Sequence, residues 1–245
     1  MSSVWQVAEV VGGVDENAAA RTIRLRVEGL MGHLAGQHID IRLTADDGYT
    51  AIRSYSVASA GTDEHLEITV AELPDGEVSP YLVRDLAVGD RLEIRGPVGG
   101  WFVWRPSSEN PVQLIGGGSG VVPLMSMIRA HQASGNECLF RLLYSLKSPD
   151  TSLYRDELRR LDRESAKLAV DYVYTRSTPE GWPSAPGRLT SSTLLASILP
   201  AEDNPDVFVC GQTVFVETVA DWLVMAGYSA ESIRTERFGG TGGIQ

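Results

Sequence analysis

The 245-residue sequence predicts a β plus α/β fold: an N-terminal antiparallel six-stranded Greek-key β-barrel, then a C-terminal five-stranded parallel sheet with helices on both faces. Three observations predict it. Short segments alternating apolar and polar residues fill the first half, the period of a half-buried strand. From about Pro111 the rhythm changes to short apolar runs separated by amphipathic stretches, the mark of βα units. The length also exceeds that of a usual single domain and suits two.

In chain order, strands are expected at 5–10, 22–27, 38–43, in the run leading to Arg53, at 66–70 and at 91–94. Gly12-Gly13, Asp46-Asp47-Gly48, Pro74-Asp75-Gly76 and Val88-Gly89-Asp90 are read as turns between them, and 79–83 as a short helix. Regular spacing of this kind suggests a small barrel. Residues 106–111 form the expected linker. Beyond it come a strand at 112–115, a helix at 121–131, a strand at 139–146 and a helix at 152–161 with Leu153, Leu158 and Leu161 on one face. A strand at 168–174, a helix at 190–199, a strand at 206–210, a helix at 213–226 and a strand at 232–238 complete the pattern. The expected domains are therefore 1–106 and 111–238, with 239–245 a glycine-rich tail not expected to be ordered.

Composition removes several classes of function. A net charge of −11 argues against nucleic-acid binding, which needs clustered Lys and Arg. No apolar run approaches the roughly 18 residues of a spanning helix, and residues 1–6 lack the features of a signal peptide, so a cytoplasmic protein without membrane contact is expected. Two cysteines, Cys138 and Cys210, cannot supply the four thiolates of a plant-type iron–sulfur cluster. The four histidines show no metal-ligand spacing, so no metal site is expected and redox chemistry needs an organic cofactor.

Two segments carry chemistry. Gly116-Gly117-Gly118-Ser119-Gly120 lies between a strand and a helix, where free N–H groups and the helix dipole suit an anionic phosphate. By itself this turn is read equally well as a tight connection without a ligand. In Arg53-Ser54-Tyr55-Ser56, the arginine fork can pair with a cofactor phosphate, the tyrosine can lie against an aromatic ring system and the serine can donate to a ring nitrogen. Standing alone, these four residues fit an ordinary strand end, with a surface arginine and a half-buried tyrosine, better than a cofactor site.

They do not stand alone. Arg-x-Tyr-Ser, Gly76-Glu77-Val78-Ser79, Gly96-Pro97-Val98-Gly99, the glycine turn ending at Pro123, and Cys210-Gly211 together resemble the ferredoxin–NADP reductase superfamily in order and approximate spacing. The resemblance is nearest in character to stand-alone reductases related to the reductase components of bacterial oxygenases. It implies that Arg53 binds the diphosphate of FAD, that Tyr55 packs on the isoalloxazine and that Ser56 hydrogen-bonds near N5, with Ser54 in the same segment. Thr69-Val70-Ala71 passes along the flavin by its backbone, and Gly76 to Ser79 form a second phosphate site, which favours FAD over FMN. Gly117, Gly118, Ser119 and Gly120 take the dinucleotide's phosphates. Cys210 and Gly211 sit beside the nicotinamide, Glu236 lies close to the flavin, and Phe238 shields its ring. Ser56, Cys210 and Glu236 are thereby the candidate catalytic residues. Trp101 and Trp104 are assigned to packing.

The second expected strand of the parallel sheet ends at Lys147 and the third at Thr175-Arg176. The Thr-Arg pair matches the hydroxyl and arginine that grip a 2′-phosphate in NADPH-using members, and Lys147 stands where relatives often carry arginine. NADPH is therefore favoured over NADH. The implied function is transfer of electrons from NADPH through FAD to an external one-electron acceptor, such as a ferredoxin, a flavodoxin or an oxygenase component. Reduction of a small diffusible flavin or quinone is the enzymatic alternative, and a non-catalytic flavin- or nucleotide-binding regulatory subunit is the other.

Overall fold

A computed structural model of the protein describes residues 4–61 and 65–238. The expected tail at 239–245 lies outside the described residues. Six strands, β1 (Gln6–Asn17), β2 (Ala20–Val27), β3 (His38–Thr44), β4 (Thr50–Ser56), β5 (His65–Ala71) and β6 (Arg91–Val98), pair antiparallel in the order β4-β3-β6-β1-β2-β5. An antiparallel bridge between Val57 and Ile68, with Ala58 N donating to Glu67 O at 2.6 Å, ties the two edge strands together. Closing the sheet in this way removes exposed strand edges. The alternation seen in the sequence becomes the barrel core: Ile23, Leu25, Ile39, Ile41, Leu66, Ile68 and Ile94 are fully buried.

Two local expectations change. Gly12-Gly13 is not a turn, because β1 runs through it and the chain reverses only after Asn17. Val10 pairs with Leu25 and Gly12 with Arg24, so the extra residue between them is a bulge. A side-chain carbon at Gly13 would stand 2.8 Å from the Thr22 carbonyl oxygen, and glycine here allows β2 to approach. The helix expected at 79–83 is a wide π-type turn, Tyr81–Asp85, closed by Leu86 N donating to Tyr81 O at 3.0 Å. Moreover, Arg53 does not follow its strand but lies within β4.

The second half forms five parallel strands, β7 (Val112–Gly117), β8 (Phe140–Leu146), β9 (Leu168–Tyr174), β10 (Asp206–Gln212) and β11 (Ile233–Phe238), in the order β11-β10-β7-β8-β9. The helices are α1 (Val121–Ser134), α2 (Arg155–Glu164), α3 (Ser191–Ala196) and α4 (Thr213–Met225). Strand order reverses between β7 and β10, which makes their carboxyl ends a topological switch point. Helix α2 begins later than expected because Tyr154, with φ 55°, is left-handed at its N-cap; Leu153 is still buried, ahead of the helix. Residues 190–199 hold only the six-residue α3, begun by the Thr190 hydroxyl accepting from Thr193 N.

By their contacts the residues fall into two compact units: those up to Pro106 with Met125–Gly135, and Ser107–Leu124 with those from Asn136 onward. Most of α1 thus packs in the first unit. There Ser126 Oγ donates to Ser59 O at 2.6 Å, and Arg129 donates to Ala58 O and to Glu67. The stretch expected as a linker is anchored, since Ser108 donates to Asp206 and accepts through its carbonyl from Asn136. Among the described residues no helix is long and apolar enough to cross a membrane.

Candidate cofactor sites

In the first unit β4 presents Arg53 to Ser56. Arg53 Nη2 donates to Glu77 Oε2 at 2.6 Å and Nη1 to the Ile52 carbonyl at 2.8 Å; Glu77 Oε1 accepts from Tyr49 Oη at 2.9 Å. Ser54 is committed elsewhere: its hydroxyl donates to Asp40 at 2.5 Å, and Asp40 also receives the Arg95 guanidinium at 2.6 Å. Burial works to raise the Asp40 pKa, but these hydrogen bonds and the Arg95 charge outweigh it and hold the carboxyl below its ordinary value. Tyr55 packs partly against the barrel core, and burial pushes its hydroxyl up to about 12 against the opposing Arg53 charge. The Ser56 hydroxyl belongs to a buried residue.

On β5, Val70 is in the barrel core and Thr69 is buried on the opposite face of the strand, its hydroxyl 2.7 Å from that of Thr22, so with Ala71 they offer a ligand mainly backbone. The segment from Leu73 to Ser79 is tightly wound. Gly76 N donates to Leu73 O at 2.8 Å, and Leu73 N donates to Ser79 Oγ at 3.0 Å. A side-chain carbon on Gly76 would lie 3.0 Å from both Leu73 O and Ser79 Oγ. Val78 and Ser79 are buried, and Glu77 is exposed beside Arg53. A half-exposed guanidinium, a serine hydroxyl and a close-wound glycine segment form a donor set that fits the diphosphate of FAD.

In the second unit the glycine turn divides by role. Gly118 has φ 57°, is exposed, and has open space where a side chain would stand. Gly120 is different, since a carbon added there would fall 2.1 Å from the Cys210 carbonyl oxygen. Gly117 and Gly211 both lie against the Phe215 ring, which would be 2.8 and 2.9 Å from their added carbons. Glycine at 117, 120 and 211 therefore admits protein groups, leaving Gly118 and Ser119 to face outward. Phe215 had no signal in the sequence, because an aromatic residue in an amphipathic helix reads as core.

Strand register pairs Cys210 with Gly116 on one side and with Glu236 on the other, and pairs Gln212 with Phe238. Cys210 and Glu236, which the sequence could only nominate separately, thus stand on adjacent strands. Cys210 is fully buried. Burial first, and then the Glu236 charge, push its thiol pKa well above the ordinary value despite a hydrogen bond from Gly211. The raised value keeps the thiol neutral, and the stability this contributes is lost only as pH climbs past the ordinary thiol range. Brief treatment of the folded protein with iodoacetamide at about pH 8, where an ordinary thiol is near its pKa, is expected to spare Cys210. Peptide mass spectrometry checks this, and alkylation of Cys210 as fast as in the unfolded chain would contradict it.

The ends of β8 and β9 bring Lys147 and Thr175-Arg176 together. Thr175 N donates to Leu146 O at 2.8 Å, and Arg176 N and Ser177 N both donate to Lys147 O. Lys147 and Arg176 are exposed, and among the described residues neither side chain is engaged by a carboxylate. Tyr172 and Tyr174 stack in parallel at 5.9 Å, and Trp182 meets Tyr174 edge-on at 5.0 Å. Burial raises the pKa of both tyrosines, while the charges of Arg159 and Arg155 on α2 work to lower it. Those two arginines add positive potential beside Thr175-Arg176. The sequence did not nominate them, because basic residues on an amphipathic helix read as a solvated face. Of the two tryptophans assigned to packing, Trp104 is buried with its ring edge-on to His131, whereas Trp101 is exposed.

Known proteins are similar to this chain. Residues 11–103 match the oxidoreductase FAD-binding domain and residues 114–221 the oxidoreductase NAD-binding domain. Flavohemoprotein A of Dictyostelium discoideum is 31% identical over 219 residues, covering 84% of this chain and 53% of that protein. The glycine betaine monooxygenase reductase subunit of Chromohalobacter salexigens is 30% identical over 208 residues, covering 84% and 56%. The chain thus spans about half the length of these curated relatives. The FAD/NAD-binding domain of nitric oxide dioxygenase from Vibrio cholerae O1 biovar El Tor superposes with a TM-score of 0.85 and 25% identity, covering 96% of this chain and 99% of that one. With both domains matched in the order of the two sheets, the chain belongs to the ferredoxin–NADP reductase superfamily, as an oxidoreductase with an FAD-binding and an NAD-binding domain.

Proposed function

We propose that this oxidoreductase takes electrons from NADPH in preference to NADH and passes them, by way of FAD, to an external one-electron acceptor protein such as a ferredoxin, a flavodoxin or an oxygenase component. The observation that carries the nucleotide preference is the meeting of Lys147 with Thr175-Arg176 at the ends of β8 and β9, without an opposing carboxylate among the described residues. An NADH-selective site places Asp or Glu at such a position to bond ribose hydroxyls, whereas cations and a hydroxyl suit a 2′-phosphate. The acceptor class is supported by the relative whose name describes the reductase subunit of a monooxygenase.

When bound, FAD supplies hydride acceptance from a reduced nicotinamide and release of electrons one at a time. In this reading the chain's residues bind and orient. Arg53 and the 76–79 segment hold the diphosphate, Tyr55 packs on the ring system, and the 69–71 backbone runs beside it. Ser56 offers a hydroxyl from a buried position. Cys210 supplies a neutral, close-packed thiol beside the nicotinamide, and Glu236 places a carboxylate next to it. Phe238 ends β11 as a half-buried ring suited to cover the flavin.

Arg53→Ala is expected to weaken FAD binding by about tenfold or more, the scale of one lost charge-assisted bond to phosphate. A purified variant that retains full FAD after gel filtration would refute the role. The proposed function itself is tested by an absorbance spectrum of the purified protein and anaerobic titration with NADPH and then NADH. Flavin bands bleached more readily by NADPH support it. A protein that neither binds added FAD nor oxidises either nucleotide overturns it.

A further inference from the structure

Glu77 is the acidic side chain of the segment assigned to the cofactor's diphosphate, and its charge opposes that task. Its two oxygens are both held, one by Arg53 Nη2 at 2.6 Å and the other by Tyr49 Oη at 2.9 Å. The hydrogen bond to Glu77, with its charge, raises the Tyr49 pKa, so the tyrosine stays a donor. With Nη1 turned to the Ile52 carbonyl, the Arg53 fork is shared between the chain's own carbonyl and its own carboxylate. Those are the donors a diphosphate would take. The Arg53 and Glu77 side chains are 51% and 48% exposed, so the pair is reached by water and bound weakly enough to exchange.

We propose that Glu77 is an internal competitor for the FAD diphosphate. Its carboxylate holds Arg53 until the cofactor enters and must give the guanidinium up for the diphosphate to bind. One acidic side chain thereby lowers the affinity for FAD and leaves the cofactor exchangeable. Tyr49 holds the carboxylate in place for this exchange. The inference rests on the flavin reading of the first unit, and it deepens that reading by naming the residue that sets the affinity.

The test measures binding of FAD to flavin-free protein by fluorescence quenching for wild type, E77Q, R53Q and the double variant, with riboflavin as a probe lacking phosphate. Circular dichroism checks folding, and R53A replaces R53Q if the latter does not fold. E77Q is expected to tighten FAD binding by about three- to tenfold and to leave riboflavin binding unchanged. The gain is expected to disappear when Arg53 is already replaced, because there is then nothing to compete for. Weaker or unchanged FAD binding in E77Q would overturn the proposal. So would an equal gain in the R53Q background, which would mark a general charge effect in place of competition. Failure of the wild-type protein to bind FAD at all would sink the flavin reading itself, whereas normal wild-type binding with an indifferent E77Q removes only the role of Glu77.

Discussion

Arg176→Ala is expected to raise the KM for NADPH by about 10- to 100-fold while moving the KM for NADH by less than about threefold. The range is that of one or two charge-assisted hydrogen bonds to a phosphate. Several arginines on this acidic chain are neutralised by neighbours, among them Arg24 by Glu67, Arg42 by Glu93, Arg95 by Asp40 and Arg141 by Asp171. Lys147 and Arg176 are not paired in this way. Their backbones are joined at the strand ends, and among the described residues no carboxylate answers either charge. Two neighbouring cations repel one another, a cost that a dianionic 2′-phosphate converts into attraction. Lys147→Ala follows the same direction with a smaller effect, since a lysine offers a point charge and not a fork. Steady-state kinetics with both nucleotides decide the matter. Equal losses for NADPH and NADH would show that Arg176 does not read the 2′-phosphate.

Gly120→Ala is expected to be the most damaging single methyl that can be added to the second unit. The new carbon would lie 2.1 Å from the Cys210 carbonyl oxygen and 2.5 Å from the carbonyl carbon. Both are backbone atoms of a central strand paired to β7 and β11, so no side chain can swing away. Relief requires the glycine turn and β10 to separate at the switch point, at a cost of about 3 kcal/mol or more, the upper range for overpacking. A fall of roughly 10 °C in Tm follows for a chain of this size, together with loss of nucleotide binding. Gly118→Ala is the matched comparison. Its position has φ 57° and open space, so an alanine there meets only the left-handed backbone cost of about 1 kcal/mol. Thermal unfolding of the two variants separates the cases, and equal Tm values would mean that the close approach to Cys210 is not what requires glycine at 120.

The glycine turn also shows how far local pattern reaches. Its position between a strand and a helix is legible because the flanking segments carry their periods in their own residues. Which glycine serves which purpose is not legible. Gly117, Gly118 and Gly120 are identical in the sequence, and they differ only in what β10 and α4 bring near them: the Phe215 ring, open space and the Cys210 carbonyl. Gly12-Gly13 makes the same point, for two glycines satisfy a turn and a bulge equally well. Pairing of β1 with β2 selects the bulge.

The barrel strands, the βα alternation and the Arg53 to Ser56 segment were determined by the sequence by itself, because alternation, apolar runs and short-range residue order are properties of neighbouring residues. The Arg53–Glu77 pair, the adjacency of Cys210 and Glu236, and the meeting of Lys147 with Arg176 were decided only by the tertiary structure. Each joins residues that are 24 or more positions apart, through strand register or loop closure. Such contacts depend on which strands pair and in what alignment, a choice made by the burial of the whole core and not by the local pattern around any one of them.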